Sequence, residues 1–223
     1  MKNRIWELDA IRGLCILAMV AVHLVFDLRI PTGPVFAFVQ RWGGVLFFLL
    51  SGLCATLGSN APKRGAVVLG AGLLCTAVTW VMCRLQLQPD YMVIRFGVLH
   101  CLGLCMLLWP VFRHLPAWVL AALGAALAVL GICLTEWIMV DFSGFAWLGL
   151  LYPSYSSADY FPLLPYLGFF LMGAWLGRVL YREKKSLLPQ WGNIRFFRAL
   201  QWCGRHSLSL YLLHQPVLML LFL

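Results

Sequence analysis

The sequence predicts an all-α, polytopic transmembrane helix bundle. Of its 223 residues, 62% are hydrophobic and only 11% are charged, and the mean hydropathy of +0.87 lies well outside the range of soluble globular proteins. The apolar runs are continuous and lack the period-two alternation of outer-membrane strands, which excludes a β-barrel. The chain is therefore predicted to cross a membrane several times as helices.

Seven apolar runs approach the ~20 residues that a spanning helix requires. We predict seven spanning helices in a single domain over residues 1–223. The runs lie at about 8–28, 42–60, 65–84, 95–112, 117–138, 162–181 and 204–223.

The distribution of basic residues predicts that the N-terminus is cytoplasmic. Of the 17 Lys and Arg residues, 12 then lie at inner ends of helices, beginning with Lys2 and Arg4, four lie at outer ends, and Arg12 lies within the first run. The net charge of +9 is thus a topology signal, and we predict no nucleic-acid partner. The basic start resembles a signal peptide, but Glu7, Asp9 and Arg12 interrupt it and no small-residue cleavage site follows. We expect a retained first helix.

The first run carries a polar stripe of Asp9, Arg12, His23 and Asp27. At helical spacing Arg12 and His23 lie on one face about 16 Å apart, and each Asp is one turn from one of them. An ionised residue at the bilayer centre costs roughly 2.5–3.5 kcal/mol, so such residues usually face a bundle interior or a wet cavity. Snorkelling anchors would explain the ends of the stripe. They would not explain His23, which lies inside the apolar run.

Further polar residues occur in the fourth and last runs. Ser207, Tyr211 and His214 share a helix face by their spacing, and His100 lies about 7.5 Å inward from Arg95. The three histidines His23, His100 and His214 are predicted to converge in the outer half of the bundle. The alternative for His100 and His214 is a ring satisfied by a backbone carbonyl or a neighbouring hydroxyl.

Two long connections differ in character. Residues 183–203 mix basic and aromatic side chains, which is typical of an amphipathic segment in the cytoplasmic interface, and such a segment is also able to hold an anionic ligand. The outer connection, 141–161, holds aromatic residues, no basic residue, and Asp159 beside Tyr160. An aromatic belt explains most of this composition. Contact of Asp159 and Tyr160 with a polyhydroxyl acceptor is the functional alternative.

The eight cysteines indicate neither a disulfide framework nor a zinc site, because they lie in or beside predicted helices without a C-x-x-C pair. We predict no metal ligand. The cysteines are Cys15, Cys54, Cys75, Cys83, Cys101, Cys105, Cys133 and Cys203.

Several motifs carry a resemblance to membrane acyltransferases. Residues 8–13, followed by residues 19–23, resemble the opening helix of integral-membrane O-acyltransferases, in which an Arg precedes the functional His by eleven positions. Residues 44–52 and 206–214 resemble the second and closing helices of that superfamily. The whole chain resembles even more closely the small bacterial proteins grouped with the catalytic domain of heparan-α-glucosaminide N-acetyltransferase. The matching segments there are Gly97–Gly103 and Asp159–Pro165.

This resemblance implies acyl transfer across a membrane, from a cytoplasmic acetyl-CoA or other acyl-CoA donor to an amine or hydroxyl of a sugar or other small molecule near the outer face. His23 would be the general base or a transient acyl acceptor, a role suited to a side chain that titrates near neutral pH. The expected catalytic residues are His23, Asp27, His100 and His214. The expected donor-binding residues are Asp9, Arg12, Ser207 and Tyr211, and the expected acceptor-binding residues are Asp159 and Tyr160.

The resemblance also implies a multi-pass protein of the bacterial cytoplasmic membrane, in contact with lipid. The chain has fewer helices than larger members of these families. A homo-oligomer, in which a second copy completes the acceptor site, is therefore one alternative to a monomer. A non-enzymatic carrier or a haem protein with histidine ligands is the alternative function. Asp9 and Arg12 as a structural ion pair is the alternative to donor binding.

Overall fold

The computed structural model describes residues 4–222, and its regular elements there are all helical. Lys2, counted above among the inner basic residues, and Leu223, the last residue of the seventh run, lie outside the described residues. The helices are α1 (Trp6–Asp27), α2 (Pro34–Leu57), α3 (Ala61–Arg84), α4 (Val98–Phe112), α5 (Ala117–Trp137), α6 (Leu163–Leu180), α7 (Arg195–Arg205) and α8 (Ser207–Phe222). Short 3₁₀ turns lie at Asp90–Met92, Ser143–Leu148 and Pro189–Trp191.

Among residues 4–222, five helices are long and apolar enough to cross a membrane, namely α1, α2, α3, α5 and α6. The chain is therefore a multi-pass membrane protein. The helices α4 and α8 are apolar but shorter, so the predicted number of seven spans stays a prediction. Each of the seven predicted apolar runs overlaps at least one of the eight α-helices described for residues 4–222.

Several helix boundaries differ from the predicted runs, and the largest difference is at α2, which begins at Pro34 rather than at residue 42. The fourth run begins at residue 95, but α4 begins at Val98 because the preceding segment is extended and pairs with another loop. Phe96 forms a bridge with Tyr160, and its carbonyl accepts the N–H of Phe161 at 3.1 Å. The run 204–223 is divided, since α7 ends at Arg205 and α8 begins at Ser207.

The contacts within the chain define two compact units. The first unit comprises residues up to 50 together with those from 180 onward, and the second comprises residues 51–179. Each unit contains helix crossings at which a glycine allows two backbones to approach closely, a common device in membrane bundles.

In the first unit α7 packs on α1 at such a crossing. A Cβ atom added to Gly204 would lie 1.8 Å from the carbonyl oxygen of Asp9, and one added to Gly13 would lie 2.0 Å from that of Leu200. The chain runs in opposite directions through the two contacts, so α7 is antiparallel to α1 there. This crossing fixes the first half of α1, and α8 contacts its second half through His214.

In the second unit α6 is the most buried helix. Phe170, Leu171 and Ala174 are completely buried within it. The end of α2 meets α6 closely, because a Cβ on Gly52 would lie 1.8 Å from the carbonyl oxygen of Phe170. The helix α6 therefore lies at the centre of this unit.

Candidate active site

A pair of histidines joins α1 to α8 in the first unit. The ring centroids of His23 and His214 are 4.8 Å apart, and their planes are inclined by 60°. Two of the three histidines predicted to converge are thus in contact. Since the rings touch, a porphyrin does not fit between them as it would between two axial ligands of one haem iron.

The hydrogen bonding of His214 assigns its tautomer. Its Nδ1 lies within hydrogen-bond distance of the Tyr211 carbonyl oxygen. A carbonyl can only accept, so Nδ1 carries the proton of the neutral ring and Nε2 keeps its lone pair. This Nε2 is buried and finds no hydrogen-bond partner among the described residues. His214 therefore presents an unsatisfied basic nitrogen beside His23.

Asp27 and Gln215 form a second polar contact between the same helices. The Gln215 side-chain amide donates to Asp27 Oδ2 at 3.1 Å. The other amide atom, Oε1, is buried without a partner in the described part of the chain. Gln215 is not among the site residues predicted from the sequence, although its position directly after His214 in an apolar helix was a signal. The pair holds the carboxylate of Asp27 near the two imidazoles.

The N-terminal half of the polar stripe is an ion-pair cluster. Asp9 lies 3.4 Å from the Arg12 guanidinium and 3.7 Å from that of Arg4. This geometry favours the alternative in which Asp9 and Arg12 form a structural pair. Tyr211 contributes its carbonyl to His214, and its ring centroid is 5.5 Å from that of His214. Ser207 is the first residue of α8, about two turns before His214.

Glu7 is a buried polar residue whose role the sequence did not reveal. Only 6% of it is exposed, and its carboxylate accepts the Leu187 N–H at 2.7 Å and the Ser186 hydroxyl at 2.8 Å. The Tyr181 hydroxyl donates to it at 3.4 Å. The carboxylate thereby ties the segment after α6 to the start of α1. In the sequence alone, Glu7 is only a charged interruption of a signal-like N-terminus.

His100 belongs to the second unit, where both of its ring nitrogens are engaged. Nδ1 accepts the Gly97 N–H at 3.2 Å, and Nε2 lies 3.1 Å from Thr76 Oγ1. The Thr76 hydroxyl donates its single proton to the Ile94 carbonyl at 2.7 Å, so Nε2 of His100 is the donor to Thr76. This network favours the satisfied histidine that the sequence left open as an alternative.

Asp159 and Tyr160 also lie near the start of α4, and their side chains bond to the backbone of other segments of the second unit. Asp159 Oδ2 accepts the Val98 N–H at 2.9 Å in the first turn of α4, where a carboxylate also complements the helix dipole. The Tyr160 hydroxyl donates to the Ala146 carbonyl at 2.8 Å. Burial raises the pKa of Tyr160, and the nearby Tyr155 raises it further. Both side chains thus have structural partners.

Substitutions at Asp159 separate a structural role from acceptor binding. Removal of the bond to Val98 in Asp159→Ala is expected to destabilise the protein by about 1 kcal/mol, the usual cost of losing such a helix-terminal bond. Asp159→Asn keeps an acceptor oxygen and is expected to unfold near the wild-type temperature. Thermal unfolding in detergent measures both. Wild-type stability in both variants, with a raised acceptor KM in Asp159→Asn, would contradict the structural role.

One known protein family matches nearly the whole chain. The family described as heparan-alpha-glucosaminide N-acetyltransferase, catalytic, matches residues 4–216. The chain belongs to this family. The match includes both His23 and His214 and confirms the predicted resemblance to this family. Membership indicates a membrane acetyltransferase. No curated protein and no solved structure matches the chain.

Proposed function

We propose that this family member transfers an acetyl or similar acyl group from cytoplasmic acyl-CoA to an amine or hydroxyl of an acceptor, a sugar, near the outer membrane face. The observation that carries the proposal is the His23–His214 pair, with a buried unsatisfied nitrogen on His214. A buried basic nitrogen with no internal partner is available to take a proton from a bound acceptor. Family membership supports the acetyl group as the one transferred.

The reaction needs a base and a route for one proton. His214 Nε2 takes the proton of the acceptor amine or hydroxyl as the acceptor nitrogen or oxygen attacks the thioester carbonyl. A new C–N or C–O bond forms, the C–S bond breaks, and the proton passes to the leaving thiolate, which departs as CoA. His23 contacts His214 and holds the ring in place. Asp27, itself held by Gln215, stabilises positive charge on the imidazole pair.

His100, Asp159 and Tyr160 act as positioning residues in this proposal. The hydrogen bonds of His100 and Asp159 hold the first residues of α4 in place. The hydrogen bond of Tyr160 holds together the loop that precedes α6. Arg12 stabilises α1 through Asp9. We place the protein in a bacterial cytoplasmic membrane, with the N-terminus inside because the inner helix ends carry most of the basic residues.

The proposal is tested with purified protein in proteoliposomes that contain glucosamine. Acetyl-CoA is added to the cytoplasmic side, and free thiol and acetylated glucosamine are measured. Equal amounts of both products are expected. An absorption spectrum of the same preparation checks the haem alternative, since a haem band without any thiol release would refute the proposal.

Topology is tested by cysteine labelling in intact cells. Ser154, an exposed residue of the 138–162 connection, is replaced by Cys, and the exposed Ser59 between α2 and α3 is the matched inner site. An impermeant maleimide is expected to label Ser154→Cys directly and Ser59→Cys only after permeabilisation. The reverse pattern would contradict the proposed orientation. The unaltered protein reports any labelling of the eight native cysteines.

A further inference from the structure

The second unit contains a cavity at one end of its helices. The proposed topology places this end of the unit at the cytoplasmic side of the membrane. The cavity has a volume of about 250 Å³ and lies among the end of α2, the short link to α3, the end of α4 and the end of α6. Its charged lining residues are Arg113 and Arg178, and its apolar wall is formed by Trp109 and Pro110.

The charged side chains of the second unit that lie near this cavity are all basic. Arg64 lies beside it, with a guanidinium nitrogen 3.9 Å from the position that a Cβ on Gly58 would take. Residues 51–89, 91–135 and 160–179 contain no Asp or Glu, so the four acidic residues of this unit all lie toward the opposite ends of its helices. The cavity therefore attracts anions.

Arg178 is held rigidly at the cavity wall. Its guanidinium donates to the carbonyls of Arg113 and Leu115, just beyond the end of α4. It also lies 5.8 Å from the centroid of the Trp109 ring. A guanidinium has five N–H donors, and two such bonds leave others for a ligand. Arg113 is exposed, and its Nε donates to the His114 ring at 3.0 Å, so its other N–H groups are left to contact a bound anion.

We propose that this cavity binds the phosphate-bearing end of the acyl-CoA donor. Arg64, Arg113 and Arg178 contact phosphate oxygens, and Trp109 with Pro110 forms an apolar wall for the attached base. This inference rests on the proposed function and moves donor binding from Arg12 to the second unit. The volume lies just below the range typical of whole-ligand sites, which suits one end of the donor.

A phosphate at this cavity can come from the donor or from an anionic lipid headgroup. The pairing of an apolar wall at Trp109 and Pro110 with nearby guanidinium groups favours a nucleotide, because a headgroup brings phosphate without a planar base. The experiment has one arm for each source.

The full chain in phosphatidylcholine nanodiscs is titrated calorimetrically with CoA and with pantetheine, which lacks phosphate. Arg113→Ala is expected to weaken CoA binding about tenfold, the effect of losing one charge-assisted contact, and to leave pantetheine binding unchanged. Ser59→Asp adds a negative charge at the cavity rim just before α3, where an acidic residue does not oppose the helix dipole, and is expected to weaken CoA binding similarly. Arg84→Ala is the matched control, because Arg84 also stacks on a tryptophan, Trp80, but lies at the other end of α3.

Wild-type CoA affinity in both cavity variants, with CoA release from acetyl-CoA intact, would overturn this inference and leave the proposed function standing. Absence of CoA binding and of turnover in the unaltered protein would overturn both. In phosphatidylglycerol nanodiscs, native mass spectrometry counts retained lipid. A loss of lipid in Arg113→Ala, with CoA affinity unchanged, would assign the cavity to lipid and refute the donor assignment.

Discussion

Replacement of His214 by Gln is expected to lower acyl transfer by about a hundredfold or more, while the protein still folds and inserts. Glutamine keeps polarity and approximate size but has no titratable nitrogen, so the proton of the acceptor has no base to receive it. His23→Gln is expected to lose activity as well, because its ring contacts that of His214. The rate of thiol release at saturating acetyl-CoA measures the loss.

His206→Gln is the matched control for this prediction. His206 also has Nδ1 near a backbone carbonyl, that of Trp202, but it is exposed and lies between α7 and α8. We expect it to retain near wild-type turnover. A well-folded His214→Gln protein that turns over as fast as His206→Gln would remove His214 from the chemistry.

The second large effect is structural and concerns the α1–α7 crossing. Gly204→Val places a branched side chain where even a Cβ would lie 1.8 Å from the Asp9 carbonyl oxygen. Backbone cannot move aside as a flexible side chain does, so we expect a loss of about 3 kcal/mol or more. Most of the variant is expected to be lost from the monodisperse peak in detergent size-exclusion chromatography.

Gly70→Val in α3 controls for the substitution itself. A Cβ on Gly70 meets nothing within 4 Å in the part of the chain that the structure describes. This variant is expected to elute and unfold like the unaltered protein, since valine has a somewhat better helix propensity than glycine. Equal behaviour of the two variants would show that the close contact between α1 and α7 does not support the fold.

The helices were predictable because a spanning segment must satisfy its backbone internally and stay apolar over its length. The start of α4 was not, because Gly97 is kept outside the helix by contacts of Phe96 with a loop about 60 residues away. Such pairing leaves no local signature in the sequence. The packing of α7 on α1 was not predictable either. In the sequence, Gly13 and Gly204 are ordinary helix glycines, and only the structure shows that each lies against the backbone of the other helix.

The candidate site was predictable in part. Helical spacing predicted that His23 and Asp27 share a face, and both contact α8. Spacing does not reveal which ring nitrogens are already bonded, and this separates His214 from His100. The partners of His100 come from Thr76 and Gly97, and only one of these is close to it in sequence.

The central claim is that His23 and His214 form one functional unit for acyl transfer. Thiol release from acetyl-CoA in glucosamine-loaded proteoliposomes, compared between the two single Gln variants and the His23→Gln/His214→Gln double variant, tests it most directly. Residues that act together lose activity non-additively. The account predicts that the rate of the double variant lies within about threefold of the rate of the slower single variant. Losses that multiply across the two sites, or a double variant with wild-type turnover, would contradict it.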